Sequence, residues 1–238
     1  MKRDFEEYFL YVCTAILLVV YIFASGKAKA DNEIFVDQTG NNFAIGIEQV
    51  GANNSATVTA DGTNQQLLIL QYDENNDVTV DATGDNNGIK LCQGCAFDYP
   101  ESYTNHDYTY DSWESGGHSI DLTVTGSGNG ISAQQTNQGN AGDNGHSYEL
   151  NLTGDNNEVT TIQQHDGAKT IDLTIYNDEN DVFVRQKGSG ANHNATVELD
   201  GTYGTDLTLK QFGDVTQSYS LQQNCLTVGG CSVTITQQ

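Results

Sequence analysis

The feature that most constrains this chain is a repeat of 22 residues that keeps its register over the N-terminal part of the sequence. The step links three polar or glycine sets: Gln49, Gln71 and Gln93; Asn32, Asn54 and Asn76; Gly40, Gly62 and Gly84. Apolar residues recur at the same step, as in Val36, Val58 and Val80. Identity at so many positions indicates an array of one structural unit rather than a biased composition.

Each unit contains two short runs in which apolar and polar residues alternate. Glycine, asparagine and aspartate lie between the runs, as in the unit from Asn54 to Gln71. Alternation with period two predicts a strand with one buried face, and the intervening residues suit turns. A single strand–turn–strand unit cannot bury its apolar face alone, but stacked copies can bury it against one another.

The pattern returns after an interruption and gives about eight units in all. We therefore predict an all-β fold, a β-solenoid of about eight stacked strand–turn–strand repeats of about 22 residues. Residues 31–93 form repeats 1–3, residues 94–117 an aromatic and acidic insertion loop, and residues 118–238 repeats 4–8.

Inward glutamine and asparagine side chains of successive repeats are expected to form amide ladders, because buried amides need partners. In the fifth repeat Gln163 and Gln164 both fit the glutamine position, and we assign Gln164. The predicted ladder residues are Gln49, Gln71, Gln93, Gln135, Gln164, Gln186, Gln211, Gln237, Asn32, Asn54 and Asn76.

The N-terminus is typical of a signal peptide. Lys2 and Arg3 precede an apolar run from Tyr8 to Ala24, and Ala28-Lys29-Ala30 provides small residues for cleavage. A retained membrane anchor is the alternative, because the run is close to the lower length limit for a spanning helix. We expect residues 1–30 to be removed and the protein to be secreted, with no membrane contact afterwards.

The predicted mature part is strongly acidic. It keeps five of the nine lysines and arginines and 29 of the 32 acidic residues, a formal charge of −24. Such a charge repels nucleic acids and anionic membranes, so neither is expected as a partner. Copies of the chain also repel one another unless salt screens them.

Four cysteines of the predicted mature part are disulfide candidates: Cys92, Cys95, Cys225 and Cys231. A disulfide between Cys92 and Cys95 is favoured over a zinc or redox site, because no second CxxC and no suitably spaced histidine accompanies them. We expect no metal and no cofactor.

Three histidines occupy the repeat position that Asn54 holds earlier. They are His118, His146 and His193, with Lys169 at the same position between them. Either they are polar substitutions in an asparagine-like position, or they form a pH-sensitive column.

The motif Gln49-Val-Gly51-Ala-Asn-Asn54-Ser-Ala56 resembles the repeat of curlin, the subunit of bacterial curli amyloid fibres. The resemblance covers residues 32–238 and implies a Gram-negative secreted subunit of a cross-β fibre that serves biofilm matrix and surface adhesion. It also implies a nucleator subunit and an outer-membrane secretion channel as partners. The chain departs from the family in the insertion and in Phe43, Gln65 and Asn87, where curlin repeats usually carry serine.

We expect a structural protein rather than an enzyme, because Arg185 is the only arginine after residue 30 and no carboxylate cluster recurs beside it. The repeats run to the last residue without a cap, which favours end-to-end stacking with further copies into a homopolymer. The alternative is a non-polymerising secreted β-solenoid, an adhesin or a glycan- or ice-binding protein that uses the 94–117 loop or a solenoid face.

Overall fold

The computed structural model describes residues 19–23 and 31–237, except for 73, 85, 96–116, 127, 137–145, 155, 165–168, 177–178, 189–191, 202–204, 214–215 and 227–229. Most of the predicted insertion loop and the predicted cleavage site lie outside these residues. No helix in the described part is long and apolar enough to span a membrane.

The regular elements of the described part are β-strands. In chain order they are β1 (Val19–Phe23), β2 (Glu33–Asn41), β3 (Ala44–Glu48), β4 (Ser55–Thr63), β5 (Asp77–Thr83), β6 (Gly88–Lys90), β7 (Ser119–Thr125), β8 (Gly130–Thr136), β9 (His146–Thr153), β10 (Glu158–Gln164), β11 (Lys169–Tyr176), β12 (Asp181–Lys187), β13 (His193–Gly201), β14 (Asp206–Phe212), β15 (Gln217–Cys225) and β16 (Ser232–Gln237).

Apart from β1 and β3, the strands build two parallel sheets whose order follows the chain. The first sheet has the order β15-β13-β11-β9-β7-β5-β4-β2, and the second has the order β16-β14-β12-β10-β8-β6. Each turn of the solenoid, here called a rung, adds one strand to the first sheet, and most rungs add one to the second. The predicted all-β solenoid class is confirmed, with eight strands in the first sheet and six in the second.

The second sheet continues beyond β6 without regular strand pairing. Ile45 N donates to Gln66 O, Leu67 N donates to Gly88 O, and the bond lengths are 2.9 and 3.1 Å. Gln71 also forms an isolated parallel bridge with Gln93. The backbone of residues 66–71 therefore carries the stack from β6 to β3.

A further strand lies on β3. β1 pairs in parallel with it, with Val19 opposite Ala44 and Phe23 opposite Glu48. β1 belongs to the apolar run that the sequence assigns to the signal peptide. One edge of β3 is therefore covered by residues that signal cleavage would remove.

The core is formed by alternate residues of every strand. In β11 the side chains of Ile171, Leu173 and Ile175 are fully buried, while Asp172 and Thr174 between them point outward. Equivalent residues stack from rung to rung, as in the pairing of Leu150 with Leu173. Burying such a side chain is worth about 1.5–3 kcal/mol, so the stacked columns supply most of the stabilisation.

The recurring glycines mark places where successive rungs approach closely. Gly62, Gly84, Gly126 and Gly154 all have positive φ, between 124° and 153°. A Cβ added to Gly126 would lie 1.8 Å from the carbonyl oxygen of Gly84. The 22-residue glycine repeat is thus a steric requirement of stacking, since any side chain would collide with the backbone of the preceding rung.

Candidate functional site

The glutamine column runs through the interior, where the second strand of each rung turns back toward the first sheet. At the N-terminal end Gln49 Nε2 donates to Gln71 Oε1 at 2.5 Å, and Gln71 Nε2 donates to Gln93 Oε1 at 2.7 Å. At the other end Gln211 donates to Gln186 at 2.8 Å, and Gln237 donates to Gln211 at 3.2 Å. These amide bonds join rungs directly through side chains.

The same amides also close the corner of each rung. Gln93 Nε2 donates to Ser119 O at 3.0 Å, and Gln135 Nε2 donates to Ser147 O at 2.9 Å. Both acceptors lie at or next to the start of a strand of the first sheet. Each glutamine therefore holds the end of one strand against the beginning of another, which explains why this residue type repeats at the corner.

One predicted member of the column is corrected. Gln163 Oε1 accepts from Gln186 Nε2 at 3.0 Å, and Gln163 is paired with Gln135 in the sheet, whereas Gln164 is paired with Thr136 and Lys187. Gln164 therefore lies on the face of β10 opposite to the glutamine column, where it is buried like Ile162. The sequence was ambiguous because Thr161 points inward and Ile162 outward, the reverse of the usual polarity.

The asparagine column keeps its register but is not an amide-to-amide ladder at its first two members. Asn32 Nδ2 donates to Gly51 O at 2.9 Å, and Asn54 Nδ2 donates to Gln71 O at 3.3 Å. The structure therefore corrects the predicted mutual bonding of Asn32 and Asn54. Asn76 is buried at the equivalent place.

The structure also contains a ladder of exposed asparagines that the sequence analysis did not predict. Asn64 Nδ2 donates to Asn42 Oδ1 at 3.1 Å, and Asn86 Nδ2 donates to Asn64 Oδ1 at 3.0 Å. All three residues have positive φ, which asparagine tolerates better than most residues. Their spacing of 22 residues was the signal that could have identified them.

The histidines and Lys169 do continue the Asn54 position as one buried column. His146, Lys169 and His193 are adjacent in register, and Lys169 is fully buried. The rings of His118 and His146 are stacked, with centroids 4.9 Å apart and their Nδ1 atoms 3.0 Å apart. No aspartate or glutamate is buried in the described part of the chain, so no interior carboxylate balances a charge on this column.

The burial of this column changes its titration. Desolvation lowers the pKa of His118 to about 4. The pKa of His193 is lowered by desolvation and by the neighbouring Lys169. Both shifts favour the neutral imidazole of His118 and His193 near pH 7.

The last rung differs from all others in its exposure. Tyr219 is 47% exposed and Val233 is 40% exposed, although their partners one rung earlier, Ala195 and Leu207, are buried. These side chains belong to the inward-facing columns. They are exposed because β15 and β16 are the terminal strands of their sheets.

Cys92 and Cys95 are buried after β6, and Cys231 precedes β16 in the last rung. Cys92 and Cys95 are joined in a disulfide, with their Cα atoms 5.1 Å apart. Cys231 is disulfide-bonded, and the side chain of Cys225 lies outside the described part. Among the described residues no three histidines, cysteines or carboxylates are grouped so that they could hold a metal ion.

Comparisons with protein-family models, curated proteins and solved structures found no match to this chain.

Proposed function

We propose that this protein is a secreted structural subunit that stacks end to end with copies of itself into an extracellular amyloid-like fibre of the curli type. The observation that carries the proposal is the exposed last rung. Its apolar side chains belong to columns that are buried in the preceding rungs, and among the described strands β15 and β16 each have a neighbour on one side only.

The first rung of a second copy fits this end. In such a stack β15 of one copy lies beside β2 of the next. The columns then place Tyr219 over Ile34 and Val233 over Ile45, so that an apolar side chain covers an apolar side chain. A terminal strand with unpaired backbone groups is a ready template for strand addition.

The polar columns continue across the same junction. Gln237 would meet Gln49 of the next copy, which extends the amide ladder, and Gln217 would meet Asn32. A junction of this kind satisfies buried amides on both sides, whereas a partner without the repeat would leave them unpaired.

Removal of residues 1–30 is part of the proposal. β1 would leave with them and expose the edge of β3, so that the junction could form in both sheets only after cleavage. A nucleator subunit, a secretion channel and a role in biofilm and adhesion follow from the resemblance to curlin and are proposed on that basis.

The test is fibre formation by the purified protein, followed with thioflavin T fluorescence and negative-stain electron microscopy over a range of protein and salt concentrations. We expect fibres that grow without any cofactor and faster as salt screens the acidic charge. The variant Val233→Lys/Ile235→Lys should form no fibres, because end-to-end stacking would bury two charges at the junction. The control Thr234→Lys/Thr236→Lys adds the same charges to the outward face of β16 and should still form fibres.

Wild-type protein that stays monodisperse under all these conditions would overturn the proposal. That result would favour the non-polymerising alternative, an adhesin or glycan- or ice-binding solenoid that uses the 94–117 loop or a solenoid face.

A further inference from the structure

The exposed cations of the described residues lie on only one of the two outer faces of the solenoid, which also carries the carboxylates of Glu158, Asp181 and Asp206. The lysines and arginines of the described residues are few, and all except the buried Lys169 lie on the outer face of the second sheet: Lys90 on β6, Arg185 and Lys187 on β12, and Lys210 on β14.

Three of these cations form a compact group that we call the basic patch, together with two aromatic rings: Phe183, Arg185, Lys187, Lys210 and Phe212. Arg185 is paired in register with Lys210, and Lys187 with Phe212. Lys210 Nζ lies 5.7 Å from the centroid of the Phe183 ring. Within the described part Arg185 and Lys187 have no salt-bridge partner. Asp181 and Asp206 lie on the same face at the start of β12 and β14, four residues before Arg185 and Lys210, so the patch occupies the other end of these strands. Clustered cations beside half-exposed aromatic rings favour an anionic partner.

The outer face of the first sheet has the opposite character. It carries no cation, and it carries ten carboxylates on the described strands: Glu33, Asp37, Asp61, Asp77, Asp81, Asp121, Glu149, Asp172, Glu198 and Asp200. Three of them, Asp121, Glu149 and Asp172, are stacked on successive rungs and are called the acidic strip. Desolvation and the nearby Glu149 and Asp77 raise the pKa of Asp121, which reflects this crowding of like charges.

We infer that the basic patch docks against the acidic strip of a second copy, so that solenoids associate side by side. Both surfaces are built by the same stacking, and their charges therefore share one period, about 4.8 Å between rungs. Arg185 and Lys210 on adjacent rungs match two adjacent carboxylates of the strip. The contact goes beyond the proposed end-to-end junction and uses different faces.

A second copy fits the patch better than a long polyanion does. The patch is small, and the rest of the surface is acidic, so an extended anionic polymer meets repulsion beyond the patch. The partner copy instead presents a short run of carboxylates. At 0.15 M salt the Debye length is about 8 Å, so distant repulsion is screened while facing charges still interact.

The geometry also fixes the kind of assembly. The basic patch and the acidic strip lie on opposite faces of one molecule, so the contact is heterologous. One outermost copy then keeps a free basic patch, and the other keeps a free acidic strip. Lateral growth therefore continues, and fibres should gather into bundles rather than stop at pairs.

The test uses reciprocal charge reversal. Arg185→Glu/Lys210→Glu removes the patch, and Asp121→Lys/Glu149→Lys reverses the strip. We expect each variant alone to show about tenfold weaker lateral association at 0.15 M salt, measured by sedimentation velocity and by bundle width in electron micrographs. An equimolar mixture of the two variants should restore association, because each then offers a complementary face to the other.

A matched pair of single variants separates the patch from net charge. Lys210→Glu and Lys90→Glu change the charge equally on the same sheet, but only Lys210→Glu should weaken lateral association. The inference is overturned if the two behave alike, if the strip variant associates more than the wild type, or if the mixture shows no rescue. It is also overturned if wild-type copies stay apart but sediment with an anionic polysaccharide.

The variant Val233→Lys/Ile235→Lys separates the lateral contact from the end-to-end junction. Because it blocks the end junction and leaves both outer faces intact, it should still associate laterally, so failure of one proposal is distinguishable from failure of the other.

Discussion

An interior rung and the last rung of this solenoid have the same sequence pattern and very different surroundings. In the rung of β11 and β12, Ile171, Leu173 and Val182 are fully buried between neighbours on both sides. In the rung of β15 and β16, Tyr219 and Val233 occupy the same columns and are largely exposed. The difference shows that a rung is completed by its neighbours rather than by its own sequence, and that the last rung lacks one neighbour.

The largest expected difference in stability between an interior rung and the last rung comes from replacing a leucine by alanine. Leu173→Ala should cost about 2–5 kcal/mol of unfolding free energy, because it leaves a cavity between two rungs. Leu221→Ala, in the same column of the partly exposed last rung, should cost less than about 1 kcal/mol in the monomer. Chemical denaturation measures both. Equal losses would contradict the assigned burial, and a larger cost of Leu221→Ala in fibres than in monomers would support the end junction.

Backbone contact between rungs should be almost as sensitive. Gly126→Ala forces a Cβ to within 1.8 Å of the Gly84 carbonyl oxygen at a positive φ, and should cost about 2–4 kcal/mol. Gly130→Ala is the matched control, because no atom lies within 4 Å of its added Cβ. Thermal unfolding of the two variants should separate them clearly. A Gly126→Ala protein as stable as Gly130→Ala would mean that the rungs are not this closely stacked.

The interior histidines give the interior rungs a pH dependence that the last rung lacks. The pKa of His118 falls from 6.5 to about 4 on folding, so its neutral form is favoured by the fold. The contribution of neutral His118 to the free energy of unfolding is therefore fully present above pH 6.5. It is lost as the pH falls from 6.5 to 4, and it is constant below pH 4. The loss is about 3 kcal/mol, at 1.36 kcal/mol per pKa unit.

Denaturation at pH 7 and pH 4.5 measures this loss. His118→Asn restores the residue that Asn76 carries in the preceding rung and should remove most of the difference, while acidic residues on the surface provide the remaining pH dependence. An unchanged pH profile in His118→Asn would contradict the role of burial. His146, Lys169 and His193 face the same interior as His118.

The smallest expected contrast concerns the glutamine column. Gln186 Nε2 donates to Gln163 Oε1, to Lys169 O and to Asn194 O, so Gln186→Ala should cost about 1–3 kcal/mol by leaving buried acceptors unpaired. Gln237 on the last rung makes one such bond, to Gln211, and its replacement by alanine should cost a few tenths of a kcal/mol. Urea midpoints compare the two. A comparable cost at both positions would indicate that the column does not depend on its position in the stack.

The sequence predicted the fold class because a step of 22 residues and a period of two are both direct consequences of parallel stacking. It also located the histidine column, since a substitution at a repeat position keeps its place in the register. It failed where local polarity reverses, as at Thr161 and Ile162, which moved the assignment from Gln163 to Gln164. It failed too for the bonding of Asn32 and Asn54, because register fixes which residues are neighbours but not which acceptor an amide selects. The placement of the exposed cations on one outer face needed the structure, since it depends on which sheet each outward position belongs to.

Cross-linking across the end junction tests the central claim most directly. Residue 37 on β2 and residue 222 on β15 belong to one outward-facing column at opposite ends of the first sheet, so a head-to-tail stack brings them to adjacent strands of different copies. Asp37→Cys/Gln222→Cys should give a ladder of disulfide-linked oligomers on a non-reducing gel, because adjacent strands lie within disulfide reach. Asp37→Cys/Glu198→Cys, whose second cysteine lies one rung inside the end, should stack equally well but give only the monomer band on the same gel. Monomer alone from the first variant under oxidising conditions, or the same ladder from both, would contradict end-to-end stacking.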